Sequence, residues 1–256
     1  MELLLHYRFF MKNIISVLLL SFCFFVKANT ISLLTYNVNY SFINKDIVSI
    51  LDSINADVVC LQETNAKWED ILRKGLKNKY PFIQFKHYGT AGGLAILSKY
   101  PIIKSDYIKN QVGWFPAWAI TIKKDKDSIQ ILNSHLKPGL TRKGRIGWNA
   151  YFKAGEVHIN ELDQFIKILD PRLPTLVLGD FNEGDKGKAM KWLRDEKGYK
   201  DALSIYDKRS KTWRWVILRG RYDHIVSNNK LLCIKAMVYK LGKSDHFPLL
   251  GIFELK

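Results

Sequence analysis

The chain alternates two kinds of hydrophobic pattern from residue 31 to its end, and that alternation constrains its fold more than any other feature. One kind is the short run rich in β-branched and aromatic residues: "ISLLTYNV", "DVVCLQE", "GGLAILS", "AWAITIK", "SIQILNSHL", "TLVLGDFN", "RYDHIVS", "LLCIKAMVY" and "LLGIFELK". Such runs read as strands. The other kind spaces apolar residues three and four apart, as a helix buried on one side requires. Ile47, Ile50, Leu51 and Ile54 form one such face. Trp68, Ile71, Leu72 and Leu76 form a second, and Val157, Leu162, Phe165, Ile166 and Leu169 a third. Many strands with helices between them predict an α/β fold of two packed sheets covered by helices. No Pro/Gly/Ser-rich linker, low-complexity tract or repeat interrupts the pattern, so residues 29–256 read as a single domain. A hydrophobic content of 47% with 13% aromatics can fill such a core and argues against a disordered chain.

The first 28 residues stand apart. Lys12 precedes the 13-residue apolar run "IISVLLLSFCFFV", which closes with "VKA" ahead of Asn29. A basic residue, an apolar stretch and a small residue in that order predict a secretory signal cut after Ala28, with Met11 as an alternative start. The run is short for a bilayer span. "LSFC" faintly matches a lipoprotein site at Cys23, but bulky Phe22 precedes the cysteine and the apolar run continues past it. Export would leave Cys60 and Cys233, each inside an apolar run. Buried thiols fit those surroundings better than a disulfide, which an oxidising compartment would permit. No C-x-x-C pair or Cys/His zinc spacing occurs.

The formal charge is +16, spread along the chain. Loss of residues 1–28 removes Arg8, Lys12, Lys27 and Glu2, which leaves +14. That balance favours a polyanionic partner, either nucleic acid or an anionic membrane surface. The alternative is a solvated basic surface with no partner.

The strand-like runs share a second property: they end in polar groups. "LLTYNV" carries Asn37, and "VVCLQE" ends in Gln62 and Glu63. "ILNSHLKPG" puts His135 before a Pro-Gly turn, and "LVLGDFNEG" closes on Asp180 and Asn182. Both are poor strand formers, and period-two alternation places them on one face with Phe181 on the other. "GRYDHIV" embeds Asp223, and "KSDHFPLL" presents Asp245 and His246 before the last run. Each has a plain structural reading as a turn residue, a helix-terminal charge or a satisfied histidine. Together they predict polar groups converging at one rim of a sandwich.

At this point the sequence resembles the endonuclease/exonuclease/phosphatase family. The resemblance runs from "LLTYNVNY" through "DVVCLQE", "GGLAILSKYPI", "LNSHLKPG", "LVLGDFNEG" and "RGRYDHIV" to "SDHFPLLGIF", in the family's order. It implies a four-layered α/β sandwich, two packed mixed β-sheets flanked by helices. It also implies phosphoester hydrolysis with a divalent cation, magnesium or manganese. Carried over residue by residue, Glu63 is similar to the principal metal ligand, with Asn37 beside it and Asp245 on the metal side. Asp180 and Asn182 would hold the attacking water, His246 would pair with Asp223, and His135 would donate a hydrogen bond to the phosphate. Either Asp180 or His246 could be the general base. Where the family shows Arg-x-x-Gln, this chain has Lys153 and Glu156. Whether Arg142, Arg145 or Lys153 reaches the phosphate therefore stays open.

Substrate is read from details, because one fold hosts many chemistries. The positive charge, the interleaved "KTWRWVILRGR" and the aromatic "GWFPAW" favour a nucleic acid. Trp213 and Trp215 would stack on bases, or else alternate within a strand and pack in the core. A lipid- or inositol-phosphate-directed phosphoesterase is the rival, and no long apolar insertion for bilayer entry is evident in the sequence. A non-catalytic polyanion-binding protein is the third class, which would have no physical need for so many polar rim groups.

Overall fold

The computed structural model describes residues 29–140 and 148–256, with side chains of the second stretch from residue 154 onward. The signal at residues 1–28, with Met11 and Cys23, lies outside the described residues, as do Arg142, Arg145 and the side chain of Lys153.

Two six-stranded sheets form the centre of the molecule. The first contains β1 (Thr30–Asn37), β2 (Val58–Gln62), β3 (Phe82–Lys86), β4 (Leu94–Ser98), β13 (Leu231–Val238) and β14 (Leu249–Leu255), in the order β13-β14-β1-β2-β4-β3. The second contains β5 (Ile102–Ile108), β6 (Ala117–Lys124), β7 (Asp127–His135), β8 (Thr175–Asp180), β9 (Lys200–Asp201) and β12 (Asp223–Ser227), in the order β5-β6-β7-β8-β12-β9. A separate hairpin pairs β10 (Trp213–Trp215) with β11 (Leu218–Gly220).

The helices follow the predicted faces. α1 (Asp46–Ile54) buries Ile47 and Leu51, and α2 (Ala66–Leu76) buries Trp68, Leu72 and Leu76. α3 (Trp148–Ile166) buries Leu162 and Phe165. α4 (Lys188–Asp195) and the short α5 (Ala202–Tyr206) complete the set among the described residues. Three cores result. One lies between the sheets, including Leu33, Val58, Ile96, Trp118, Ile131, Leu178 and Phe253. A second seals the first sheet under α1 and α2, and a third seals the second sheet under α3 and α4. These are the four predicted layers, helix on sheet on sheet on helix.

Cys60 and Cys233 are both free and buried, as apolar surroundings dictate. No helix among the described residues is long and apolar enough to cross a membrane.

The topology explains why polar strand ends meet. β1 runs parallel to β2, and β7 parallel to β8, so Asn37, Glu63, His135 and Asp180 reach the same rim. β14 is antiparallel to β1 and β12 to β8, so their N-terminal entries, carrying His246 and Asp223, arrive there too. Asp223 pairs with Asp180 in register. Below the rim a buried polar contact ties the sheets together: Gln62 Nε2 donates to Asn133 Oδ1 at 2.7 Å, and Asn133 Nδ2 donates to the Leu61 and Ala95 carbonyls.

Gly179 shows how closely β7 and β8 approach. Its φ is +138°, and a Cβ there would run into the Ser134 carbonyl oxygen. Gly179→Ala will therefore destabilise the protein by about 2–6 kcal/mol, combining backbone strain with overpacking. Urea unfolding will read this as a lower midpoint; an unchanged midpoint would contradict the account.

Candidate active site

Asn37 joins the two sheets. Its Nδ2 donates to Glu63 Oε1 and to Asp180 Oδ2, both at 3.0 Å, while its Oδ1 accepts the Asn39 backbone N–H. Glu63 lies just past β2 at φ +59°, and its Oε2 accepts the Tyr40 N–H at 3.3 Å. Two residues on, the Asn65 side chain accepts the Lys67 and Trp68 N–H groups and starts α2. The left-handed residue and the cap together turn the chain so that Glu63 faces the rim.

Asp180 is the node of the second sheet. Its Oδ1 accepts the Asn182 N–H at 2.9 Å, and its Oδ2 lies 3.6 Å from His135 Nε2 and 3.4 Å from His246 Nε2. His135 donates from Nδ1 to the Ala91 carbonyl at 3.0 Å and stacks on Phe115 with ring centroids 4.5 Å apart. A carbonyl can only accept, so Nδ1 carries a proton and Nε2 faces the site.

Asn182 corrects the simple alternation. β8 ends at Asp180, and Asn182 adopts φ +50°, a left-handed conformation that asparagine tolerates. It reaches the site from a turn, with its Nδ2 on the Leu136 carbonyl at 3.0 Å. Phe181 does point the other way, into the core under α3 and α4.

His246 and Asp223 form the pair expected of them. The ring Nδ1 donates to Asp223 Oδ2 at 2.8 Å, and both residues are buried. Thr212 Oγ1 accepts the Asp223 N–H at 3.0 Å, while no protein group among the described residues hydrogen-bonds Asp223 Oδ1. Burial alone would pull the His246 pKa down, but the Asp223 and Asp180 carboxylates outweigh it and push it up to about 10.

Asp245 sits at the edge of this cluster. Asn39 Nδ2 donates to its Oδ1 at 3.0 Å and Trp213 Nε1 to its Oδ2 at 3.1 Å. Burial would raise its pKa, yet the neighbouring His246 charge and these two hydrogen bonds hold it below the ordinary carboxylate value.

Trp213 and Trp215 differ in setting. Trp213 is half-buried, tied to Asp245 and tilted against Tyr222 with centroids 5.2 Å apart. Trp215 is 54% exposed, so neither tryptophan belongs to a core. A cleft of about 540 Å³ opens beside them, lined by Pro138, Leu140, Asn182, Trp215, Arg219 and Asp245 among others.

Sequence reading missed the ring of groups that braces the rim. His158 faces Glu183 Oε2 through Nδ1 and the Lys137 carbonyl through Nε2, both at 2.7 Å. His224 faces Asp201 Oδ1 at 3.4 Å and the Glu183 carbonyl at 2.9 Å. The signal was present: Glu183 follows Asn182 in "GDFNEG", and His224 follows Asp223. Only the fold brings their partners to them. Both nitrogens of each ring face acceptors, so each ring is held as an imidazolium. Burial opposes that charge, but the Glu183 and Asp201 carboxylates prevail, and both pKa values are raised.

A raised histidine pKa stabilises the fold below the unfolded value of about 6.5 and loses that contribution as pH rises through the folded value. The melting temperature of the wild-type protein will therefore exceed that of His158→Gln most at pH 6, and the gap will narrow as pH is raised. A gap constant from pH 6 to 10 would show that the ring is not held charged.

The rim offers carboxylate and amide oxygens from Glu63, Asn37, Asp180, Asp223 and Asp245, and no thiolate. That donor set fits a hard divalent cation of the magnesium or manganese type. Asp180, Asp223 and His246 place one ligand atom each within 4.8 Å of one another. The orphaned Asp223 oxygen leaves acceptor capacity at the same spot.

Two mixed sheets back to back, with a rim of carboxylates, histidines and asparagines, define a phosphoesterase-type α/β sandwich. The chain belongs to the Endonuclease/Exonuclease/phosphatase family, whose sequence profile it matches over residues 34–246. Members of that family are typically hydrolases of phosphoesters and usually depend on a divalent metal. The fold is shared with an endonuclease/exonuclease/phosphatase from Beutenbergia cavernae (TM-score 0.72, 14% identity, 89% of this chain and 72% of that one). It is shared also with one from Bacteroides vulgatus (TM-score 0.68, 19% identity, 89% and 99%). Truncated TDP2 from Caenorhabditis elegans is similar as well (TM-score 0.65, 20% identity, 88% and 98%). Identities this low speak to the fold alone. No curated protein matches the sequence.

Proposed function

We propose that the chain is a divalent-metal-dependent phosphodiesterase, exported from the cytoplasm, whose substrate is a nucleic-acid backbone. The observation that carries the chemistry is the Asp180 node, one carboxylate within reach of Asn37, Asn182, His135 and His246. Glu63 and Asn37, with Asp245 on the same side, would hold the cation. When bound, that cation supplies charge neutralisation at the phosphoryl and leaving oxygens.

The chain's own groups divide the remaining work. Asp180 accepts a proton from the attacking water, which it orients together with Asn182 as the water oxygen bonds to phosphorus and the ester P–O bond breaks. His246 has carboxylates facing both ring nitrogens, so it serves as a donor to the phosphoryl oxygens rather than as the base. Asp223 fixes its orientation and charge. His135 presents Nε2 toward the same space.

The motive for nucleic acid is the +14 charge left after loss of residues 1–28, beside a phosphoester site, and the motive for export is the apolar run that ends before Asn29. Among the phosphate-reaching candidates Arg142, Arg145 and Lys153, the family pattern favours none. Neutralising Z phosphates makes log K fall with log[salt] at a slope of about −0.9Z on duplex DNA. Four contacts would lower affinity by roughly a hundredfold between 50 and 200 mM salt. The test is DNA binding by Asp180→Asn protein across that range, beside turnover of plasmid, RNA, sphingomyelin and a phosphoinositide with magnesium. A flat salt response with turnover of a lipid alone would overturn the substrate choice.

One observation favours that second reading, hydrolysis of a lipid headgroup phosphodiester. The sequence shows no long apolar insertion, but the folded chain exposes a short one, at the tip of the β10–β11 hairpin.

A further inference from the structure

The β10–β11 hairpin departs from the rules of stable hairpins in three ways. A two-residue hairpin turn with positive φ at its first central residue alone favours Gly at that position. Here the turn is Val216-Ile217, and Val216 holds φ +52°, which a β-branched side chain resists. Next, Arg214 and Arg219 lie directly opposite each other, a like-charge pair that opposes strand association. Last, four consecutive apolar side chains face water: Trp215 is 54% exposed, Val216 79%, Ile217 86% and Leu218 52%. None of the four belongs to any of the three cores. A turn that is strained, apolar and backed by paired cations gains nothing from water; it gains from a partner that is apolar within and anionic at its surface.

The base of the hairpin is fastened to the site. Trp213 donates to Asp245, the Arg214 N–H donates to the Asp245 carbonyl at 2.8 Å, and Trp213 forms an isolated bridge with His246. Whatever receives the tip therefore lies at the mouth of the phosphoester cleft. Distances along the strands fit a bilayer interface. At about 3.4 Å per residue the arginine pair sits one step behind Trp215 and Leu218, and about two steps behind the turn. That span is comparable with the roughly 5–10 Å to which interfacial elements bury their apolar face.

We propose that this hairpin docks the enzyme on an anionic phospholipid bilayer, with Trp215, Val216, Ile217 and Leu218 below the headgroups and Arg214 and Arg219 among the lipid phosphates. A nucleic acid suits the tip less well. Three of its four side chains are aliphatic, with no flat face for bases to stack on and no donor for base edges. The docking does not depend on which phosphodiester the site cleaves.

The experiment uses protein beginning at Asn29, which contains both sheets and all three cores, and sucrose-loaded vesicles of phosphatidylcholine with 30% phosphatidylglycerol. The wild-type protein will sediment with these vesicles, and less with phosphatidylcholine alone. Val216→Gly with Ile217→Asn puts glycine at the positive-φ position with a polar residue after it, the pair this turn prefers, so the variant keeps its fold and its turnover of bis(p-nitrophenyl) phosphate with manganese. It will lose vesicle partitioning by about tenfold or more, because two buried aliphatic side chains are gone. Three results would overturn the proposal: equal sedimentation of wild type and variant, no sedimentation of either, or a loss of plasmid binding in the variant with vesicle binding unchanged. Since partitioning is read without turnover of a natural substrate, its failure is separable from failure of the substrate assignment.

Discussion

Asp180→Asn will lower turnover about 10²–10⁴-fold, the range a positioned acid–base group contributes. The substitution keeps the shape of the side chain but removes the charge proposed to receive the water proton. It also replaces one acceptor oxygen by an amide nitrogen, where Asn37 Nδ2 and the two histidine Nε2 atoms approach Oδ2. His246→Ala will fall in the same range, and the double variant will lose far less than the product of the two losses, because both act on one phosphoryl group. The measurement is single-turnover kinetics on bis(p-nitrophenyl) phosphate and on the preferred natural substrate, with circular dichroism to show that the fold is kept. Wild-type turnover by Asp180→Asn would remove it from the chemistry and return the role of base to His246.

Removing the metal will have a still larger effect, loss of all measurable hydrolysis. Excess EDTA followed by desalting should silence the enzyme, and magnesium or manganese should restore it. The expectation rests on the oxygen donors at the rim and on the single hydrogen bond that seats Asn37 against Glu63. Glu63→Gln keeps that geometry while removing the charge, so it will raise the magnesium concentration needed for half-maximal turnover by tenfold or more, an effect of about 1.4 kcal/mol. Full activity after chelation would end the metal assignment for Glu63, Asn37 and Asp245 together.

These two results would separate roles that geometry places within a few ångströms of each other. Asp180 and Glu63 share Asn37 as a common donor, so the two roles meet at one side chain. A metal titration of Asp180→Asn distinguishes them. If Asp180 handles only the water proton, its variant will bind the cation with wild-type affinity, and only the rate will fall.

Local patterns carried much of this protein in legible form. Short runs rich in β-branched and aromatic residues marked the central strands, because those strands are buried on one or both faces and their side chains must be apolar there. Period-3.6 faces marked α1, α2 and α3, since each must bury one stripe against a sheet. Three edge strands escaped: β3, β5 and the two-residue β9. β3 and β5 are largely half-buried or exposed, β5 carries Lys104, Ser105 and Asp106 in succession, and such strands need no apolar pattern. α4 escaped as well, because its eight residues are too short for a helical period to repeat convincingly.

The residues at the strand ends were also legible one at a time, as asparagines, carboxylates and histidines in places where strands seldom carry them. By itself the sequence determined the sandwich of sheets and helices, the identity of those polar ends and the family to which they belong. What it left to the tertiary structure was adjacency. Asn37 and Asp180 are 143 positions apart, and only the face-to-face packing of two sheets puts their side chains 3.0 Å from each other. Asn182 reaches the rim through a left-handed turn that alternation could not foresee. The apolar run from Trp215 to Leu218 could have been a buried strand until the hairpin carried it clear of every core. Periodicity is local and is written into consecutive residues, whereas register, sheet order and exposure are decided by which distant surfaces bury each other.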